Sequence, residues 1–298
     1  MHTMRRSRVP YLLLVPAVAI LLLGMGYPLI WQIITSLQEY GLAQQFGQPA
    51  PFVGVDNYVT LAANPQLWLV VGKSLAFCVL TAAITMVIGV GLALLMTGVT
   101  KTARLILQIA LLLAWAMPVV AAMTIWIWLF DRRRGVINYL LDMIPGVEMN
   151  RFDWLASPVT FLLVASIIVV WMSVPFVAFS VYAGLTQVSD EVLEAASLDG
   201  ASGWQRFWGI IAPMIRPVLS IVLLLQLIWD LRVFTQIKML QDAGSASGDY
   251  DLLGTYIYKL GTSSQDFGAA SAVSILVLAI TVALSWFYIR SLLREDAA

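Results

Sequence analysis

One apolar stretch of the sequence carries an unusual set of side chains that could bind a small solute. These side chains are Gln226, Trp229, Asp230, Arg232 and Gln236. On a helix, spacings of three and four residues place Gln226 beside Asp230 and the other three on a neighbouring face. Their carboxylate, amide and guanidinium groups can bind hydroxyls, and an indole can stack on a sugar ring. Trp171, in an earlier apolar stretch, can add to the same wall. The pattern favours a polar path for a sugar-like solute, although Asp230 and Arg232 could instead pair with helices of a partner subunit.

Several other kinds of chemistry are excluded by residue type. The chain has one cysteine, Cys78, and one histidine, His2. It therefore contains neither an internal disulfide nor a Cys/His metal cluster, and a catalytic triad would have to use the terminal His2. No GxxxxGK[ST] loop for nucleotide phosphates is present. We expect a chain that is not an enzyme and binds no metal or cofactor itself.

The composition indicates a protein that lies within the lipid bilayer. Of 298 residues, 60% are hydrophobic and only 11% are charged, against roughly 25% charged residues in soluble domains. The 17 basic and 17 acidic residues balance, so no nucleic-acid partner is expected. Crossing a bilayer takes about 20 apolar residues in a helix. Six stretches are long enough, at about 11–37, 67–96, 105–130, 159–185, 218–239 and 268–292.

We therefore predict an all-α integral membrane protein with six transmembrane helices, the first of them uncleaved. Residues 1–10 are expected to form a cytoplasmic tail, and residues 11–298 a single transmembrane domain. Six spans put both termini on one side of the membrane. The segments on that side hold nine Lys and Arg residues, and those on the other side hold five. Because positive charge is enriched in cytoplasmic segments, both termini are predicted to lie in the cytoplasm of a multi-pass cell-membrane protein.

The segment 187–217, between the fourth and fifth spans, reads as two short helices at the cytoplasmic surface. Ser189 or Asp190 can cap the first helix, which Gly200 then ends. A second, amphipathic helix is expected over 201–211, since its aromatic and apolar residues recur at helical spacing. Pro213 and Pro217 mark the entry into the fifth span. Physical reasoning alone would allow this segment to be merely an amphipathic helix at the membrane surface.

The same segment resembles the EAA loop of binding-protein-dependent ABC importer permeases. Glu194-Ala195-Ala196 is followed by three residues, Gly200, nine residues, Ile210, one residue and Ala212-Pro213. Ala212 stands where the family usually has leucine. The stretch from Ala195 to Ala201, which includes Asp199, is close to the AAxxDGA form of the carbohydrate-uptake branch, typified by maltose-transporter-type permeases. Tyr27-Pro28 and the run from Phe52 to Tyr58 also resemble that branch.

The resemblance implies a mechanism and a set of partners. The first short helix would be a coupling helix that docks on a cytoplasmic ATPase, with Glu194 pairing a basic group there and Gly200 forming the tight turn. The residues implied in coupling are Glu194, Ala195, Ala196, Asp199, Gly200, Ala201, Ile210 and Pro213. The implied partners are a second homologous permease, two ATP-binding subunits that hold ATP and Mg²⁺, and an extracytoplasmic substrate-binding protein.

Two alternatives remain open from the sequence. The chain could be an ion-coupled secondary carrier, for which Asp230 is the one clear intramembrane acid. It could also serve an ABC importer for a non-sugar solute, such as an amino acid, a polyamine or glycerol phosphate. An anionic solute would favour Arg232 and the cluster at Arg132, Arg133 and Arg134 as recognition groups.

Overall fold

A computed structural model describes residues 9–244 and 248–295. Most of the predicted N-terminal tail, with His2, therefore lies outside the described residues. The helices are α1 Val9–Leu21, α2 Tyr27–Ser36, α3 Leu42–Gln45, α4 Asp56–Ala62, α5 Pro65–Gly98, α6 Lys101–Ala116, α7 Val119–Leu129, α8 Val136–Asp142, α9 Pro158–Leu185, α10 Asp190–Leu198, α11 Gly203–Arg206, α12 Ala212–Met214, α13 Arg216–Leu231, α14 Thr235–Ala243, α15 Leu253–Thr262 and α16 Phe267–Glu295.

The all-α prediction is confirmed over these residues. Two π-helical turns, Leu22–Gly26 and Phe207–Ile211, join α1 to α2 and α11 to α12. Within the described ranges, five helices are long and apolar enough to cross a membrane, and six if the bent pair α6–α7 is one span. Five of the predicted spans match these helices to within a few residues. The count of six spans remains a prediction.

The third predicted span is not a straight helix. α6 and α7 meet at an angle of 100°. Met117 has extended backbone angles, with φ −69° and ψ 127°. Pro118 explains both the break and its position, because proline lacks the N–H of a helical bond and disfavours helical angles in the residue before it. The predicted span over 105–130 is therefore two helices rather than one, although the whole stretch is apolar as predicted.

The fifth predicted span is interrupted near its middle. α13 ends at Leu231 and α14 begins at Thr235. Phe234 has a non-helical φ of −133°. The break contains Val233 and Phe234, which have low helix propensity because their side chains lose rotamer freedom in a helix. Non-helical backbone at membrane depth is tolerated where protein buries it or where it lines a cavity. We therefore expect the break to be buried by protein or to line a cavity.

The chain divides into two compact units. The first comprises the described part of 1–67 together with 257–280. Here the amide of Asn57 donates to the carbonyls of Ser36 and Gln38, each at 2.9 Å. The backbone N–H of Gly268 donates to the carbonyl of Tyr40 at 3.0 Å. These bonds hold the end of α2 and the loop after it against α4 and the start of α16. The single transmembrane domain over 11–298 stays a prediction.

The second unit comprises 68–256 and the described part of 281–298. Its larger apolar core joins α5, α7, α9 and α14, through residues such as Phe77, Met123, Ile168 and Ile237. A smaller core joins α5, α9 and α13 with the segment between α9 and α13. The buried side chains are tightly packed apolar groups, so α9 is held from several sides and serves as the central helix of this unit.

The loop between α7 and α9 contains the arginine cluster noted above. Asp131 accepts the backbone N–H groups of Arg133 and Arg134 at 2.9 and 2.7 Å. These two bonds lower the pKa of Asp131, that from Arg134 most strongly. Arg132 approaches Asp153 at 3.9 Å. Acidic side chains of the same loop thus offset part of the positive charge of the arginine cluster. The same loop contains the short helix α8, Val136–Asp142.

Arg104 is expected to be a stability determinant at the junction of α5 and α6. Its guanidinium donates to the carbonyl of Met96 at 2.6 Å and lies 5.8 Å from the ring centre of Tyr182. Arg104→Ala should lower the free energy of unfolding by about 2 kcal/mol, since bonds from charged donors are worth roughly that much. Thermal unfolding in detergent measures the loss. Lys101→Ala, at an exposed position of the same turn, should have little effect, and an equal loss in both variants would contradict the assignment.

Candidate functional site

The turn of the predicted coupling loop has the geometry that the spacing of Glu194 and Gly200 implies. α10 ends at Leu198, and Gly200 adopts φ +79°. The N–H of Gly200 donates to Ser197 O at 3.1 Å, and that of Ala201 donates to Ala196 O at 3.0 Å. This arrangement is a helix C-terminus closed by a left-handed glycine. The backbone donors of the turn are satisfied, so its shape is well defined.

The second helix of the loop begins two residues later than predicted. Ser202 caps α11, and its hydroxyl and the side chain of Gln205 satisfy each other's backbone N–H groups. The prediction of a start at Ala201 was therefore wrong, because a serine cap competes better for the first helical position than alanine does. Ile210 lies in the π-helical turn that follows, and Pro213 lies in α12.

α10 presents two different faces. Ala196 is buried and Leu193 packs against the smaller core, so this face attaches α10 to the second unit. Glu194 and Ala195 are exposed on the opposite side, and Leu198 is 89% exposed. Ala195 and Ala196, both implied in coupling by the resemblance, thus lie on different faces of α10. The exposed face of α10 therefore consists of an acidic residue, a small residue and a large apolar residue.

Within the fifth span, Asp230 is a buried hydrogen-bond acceptor. Its two carboxylate oxygens accept from Gln226 Nε2 and from Thr81 Oγ1 of α5, each at 2.8 Å. Asp230 is 2% exposed, while Gln226 and Thr81 are fully buried. Gln226 and Asp230 share a helix face, as their spacing of four residues predicts, and they bond to each other. Thr81 was not predicted, since it lies 149 residues away and threonine is unremarkable in a membrane helix.

The helix break opens onto a cavity of about 240 Å³. Four of the predicted pathway residues, Trp229, Asp230, Arg232 and Gln236, line it, together with Ser173 of α9. Arg232 and Trp229 are exposed, and Trp229 makes an edge contact with Phe176 at 4.9 Å between ring centres. The cavity can therefore offer a guanidinium, an amide, a hydroxyl and a fixed aromatic surface to a polar solute.

Two predicted pathway residues lie elsewhere. Gln226 faces the buried contact with α5 and is not among the residues lining the 240 Å³ cavity. Trp171 packs edge-on against Trp126 at 5.5 Å. It lines a larger, almost wholly apolar cavity of about 870 Å³ beside α5 and α9. Trp171 lies on α9, so no spacing within the fifth span could place it relative to the 240 Å³ cavity.

Comparison with known proteins identifies the family. Residues 85–290 match the family described as "Binding-protein-dependent transport system inner membrane component". The chain belongs to this family. This permease is 37% identical over 287 residues to the diacetylchitobiose uptake system permease protein DasB of Streptomyces coelicolor, covering 96% of this chain and 87% of that protein. It is 28% identical to the trehalose/maltose transport system permease protein MalF of Thermococcus litoralis, with 96% and 94% coverage.

A solved structure has the same fold as this permease. It is a chain of the bacterial alginate ABC transporter, crystallised in complex with an alginate pentasaccharide-bound periplasmic protein. The TM-score is 0.80 at 23% sequence identity, covering 95% of this permease and 93% of that chain. The similarity extends over nearly the whole molecule. The family match and the relatives establish a multi-pass membrane protein that is a transport subunit.

Proposed function

We propose that this permease is one transmembrane subunit of an ATP-driven importer that moves a sugar into the cytoplasm by alternating access. The observation that carries the substrate class is the cavity at the helix break, where Trp229, Arg232 and Gln236 meet. Discontinuous helices commonly form substrate sites near the middle of membrane transporters. The uptake systems named for the relatives act on diacetylchitobiose and on trehalose and maltose, which supports a carbohydrate substrate.

The six pathway residues have different roles in this proposal. Arg232 and Gln236 bind hydroxyls, and Trp229 stacks on a sugar ring. Asp230 does not need to touch the sugar, because Gln226 and Thr81 occupy its oxygens. It instead anchors the end of α13 to α5 and so positions the break. Trp171, beside the apolar cavity, contributes packing rather than sugar contact.

The coupling loop is proposed to bind the energy source. The exposed face of α10 offers Glu194 to a basic group and Leu198 to an apolar pocket of a cytoplasmic ATPase. Two such ATPase subunits would hold ATP and Mg²⁺, and this chain would hold no cofactor. A second homologous permease and an extracytoplasmic binding protein complete the proposed complex. Both termini are placed in the cytoplasm, on the same side as α10.

The sugar-contact role predicts a specific transport defect. Arg232→Ala is expected to reduce uptake at subsaturating sugar about tenfold, since a lost bond from a charged donor is worth roughly 1.5 kcal/mol. Uptake and ATP hydrolysis are measured with the complete complex in proteoliposomes. Lys238→Ala is the control, because Lys238 lies on the next helix and pairs with Asp242. Equal uptake by wild type and Arg232→Ala would remove Arg232 from the site.

The same proteoliposomes distinguish the alternative functions. ATP-dependent uptake of a disaccharide supports the proposal. Uptake of glycerol phosphate or an amino acid, but no sugar, would keep the ATP-driven importer and change its substrate. Uptake driven by an ion gradient, in the absence of any ATPase subunit, would indicate a secondary carrier instead.

A further inference from the structure

A side-chain hydrogen bond crosses the turn of the coupling loop. Arg206, at the end of α11, donates from Nη1 to the hydroxyl of Ser197 in α10 at 2.7 Å. The same hydroxyl donates to Leu193 O at 2.8 Å, so its orientation is set by α10 itself. The bond joins residues nine positions apart on the two sides of Gly200. The bond and the chain between these two residues therefore form a closed loop that contains the turn.

The turn on its own would fix the angle between α10 and α11 only weakly. Four residues, 199–202, connect α10 to α11. Gly200 among them has the widest backbone freedom of any residue type. α10 is otherwise attached through few side chains, with Ala196 its one buried residue. A force applied to the exposed face of α10 could therefore change the angle between α10 and α11 unless a second contact opposed it.

The path beyond Arg206 is stiff by comparison. Helical structure continues from Gly203 through the π-helical turn to Met214, and α13 starts at Arg216. At the junction, the N–H of Ile215 donates to Ile211 O, and that of Leu219 donates to Ile215 O, both at 3.0 Å. Ile215 is buried in the smaller core. A displacement that reaches Arg206 is thus passed to α13, which ends at the cavity.

We propose that Ser197 and Arg206 are positioning residues that fix the angle between α10 and α11, so that movement of α10 is transmitted to the fifth span. This inference rests on the proposed coupling function and adds two residues that the motif does not include. Exposed polar pairs are worth little in water. A docked ATPase would exclude water from the bond and strengthen it, because electrostatic interactions are stronger at low dielectric.

The test measures sugar uptake per ATP hydrolysed by the complete complex in proteoliposomes. Ser197→Ala and Arg206→Gln are each expected to lower this ratio threefold or more while the ATPase remains bound. The double variant should be no worse than the worse single variant, because both changes remove one bond. Arg206→Lys should restore part of the ratio. Ser220→Ala is the matched control, since Ser220 donates to Arg216 O within α13, as Ser197 does to Leu193 O within α10, but makes no bond across a turn.

The outcomes separate this inference from the proposed function. If Gly200→Val uncouples transport but both single variants keep the wild-type ratio, the inference fails and the coupling loop stands. If Gly200→Val also couples normally, the coupling function itself fails. Additive losses in the double variant would overturn the bond as the cause. Release of the ATPase by Arg206→Gln would overturn it too, since Arg206 would then be a docking contact.

Discussion

Gly200→Val is expected to leave the complex assembled in the membrane but to abolish ATP-driven uptake. Gly200 has φ +79° at the end of α10. An L-residue costs roughly 1–2 kcal/mol in this region, and a β-branched residue is a clear outlier there. The turn would therefore open and reorient α10 relative to α11. ATP hydrolysis should continue at a low, substrate-independent rate, which an uptake assay and a phosphate-release assay on one preparation will show.

Two further variants make this result specific. Gly200→Asn should keep much of the uptake, because asparagine tolerates left-handed angles better than other residues. Gly203→Ala is the control, since Gly203 is the first residue of α11, has no positive φ and has no atom within 4 Å of an added Cβ. If valine and alanine at these two positions behaved alike, the left-handed turn would not be what coupling requires.

Gln226→Leu is expected to be among the most destabilising single changes in the membrane-spanning helices. It removes one of the two side-chain donors to Asp230, which is 2% exposed. Bonds to charged groups contribute roughly 1.5–3 kcal/mol, and an underpaired buried acid adds its own penalty. The melting temperature in detergent should fall by roughly 4–10 °C. Differential scanning fluorimetry of the purified complex measures this shift.

A double variant tests the cause. Gln226→Leu with Asp230→Leu should recover much of the lost stability, because a buried polar pair can be replaced by apolar side chains at small cost. Thr81 stays satisfied, since its hydroxyl is also 2.7 Å from Phe77 O. Gln236→Leu is the matched control: it should reduce sugar uptake with little change in melting temperature. A double variant less stable than Gln226→Leu would contradict the pairing argument.

The apolar runs and the turn at Gly200 could be read from the sequence because they depend on local chemistry. A stretch of about 20 apolar residues has few alternatives to a membrane helix, so most span positions were predicted to within a few residues. The turn at Gly200 follows from the same local logic, as glycine is the residue that adopts positive φ most easily. The start of α11 at Gly203 rather than Ala201 was also locally encoded, by the Ser202 and Gln205 capping pair.

The cavity at the helix break was only partly predictable. The spacing of Gln226 and Asp230 predicted a shared helix face, and Trp229, Arg232 and Gln236 do line one cavity. The predicted facing directions assumed one unbroken helix across the fifth span, however, whereas α13 ends at Leu231. Beyond the break, facing directions depend on how α14 packs against α7 and α9, which no spacing within the fifth span contains. The contact of Trp171 with Trp126 likewise joins two separate helices, so no spacing within one helix could predict it.

By itself the sequence determined the membrane setting, the helical class and the turn at Gly200, because each arises from interactions among residues close in the chain or with the solvent. Only the tertiary structure decided that Asp230 is held by Thr81 across 149 residues, and that Arg206 reaches Ser197. It also decided that the broken fifth span opens onto a cavity. These features depend on which surfaces of separate helices meet, and packing between helices selects one arrangement from many that the local patterns allow.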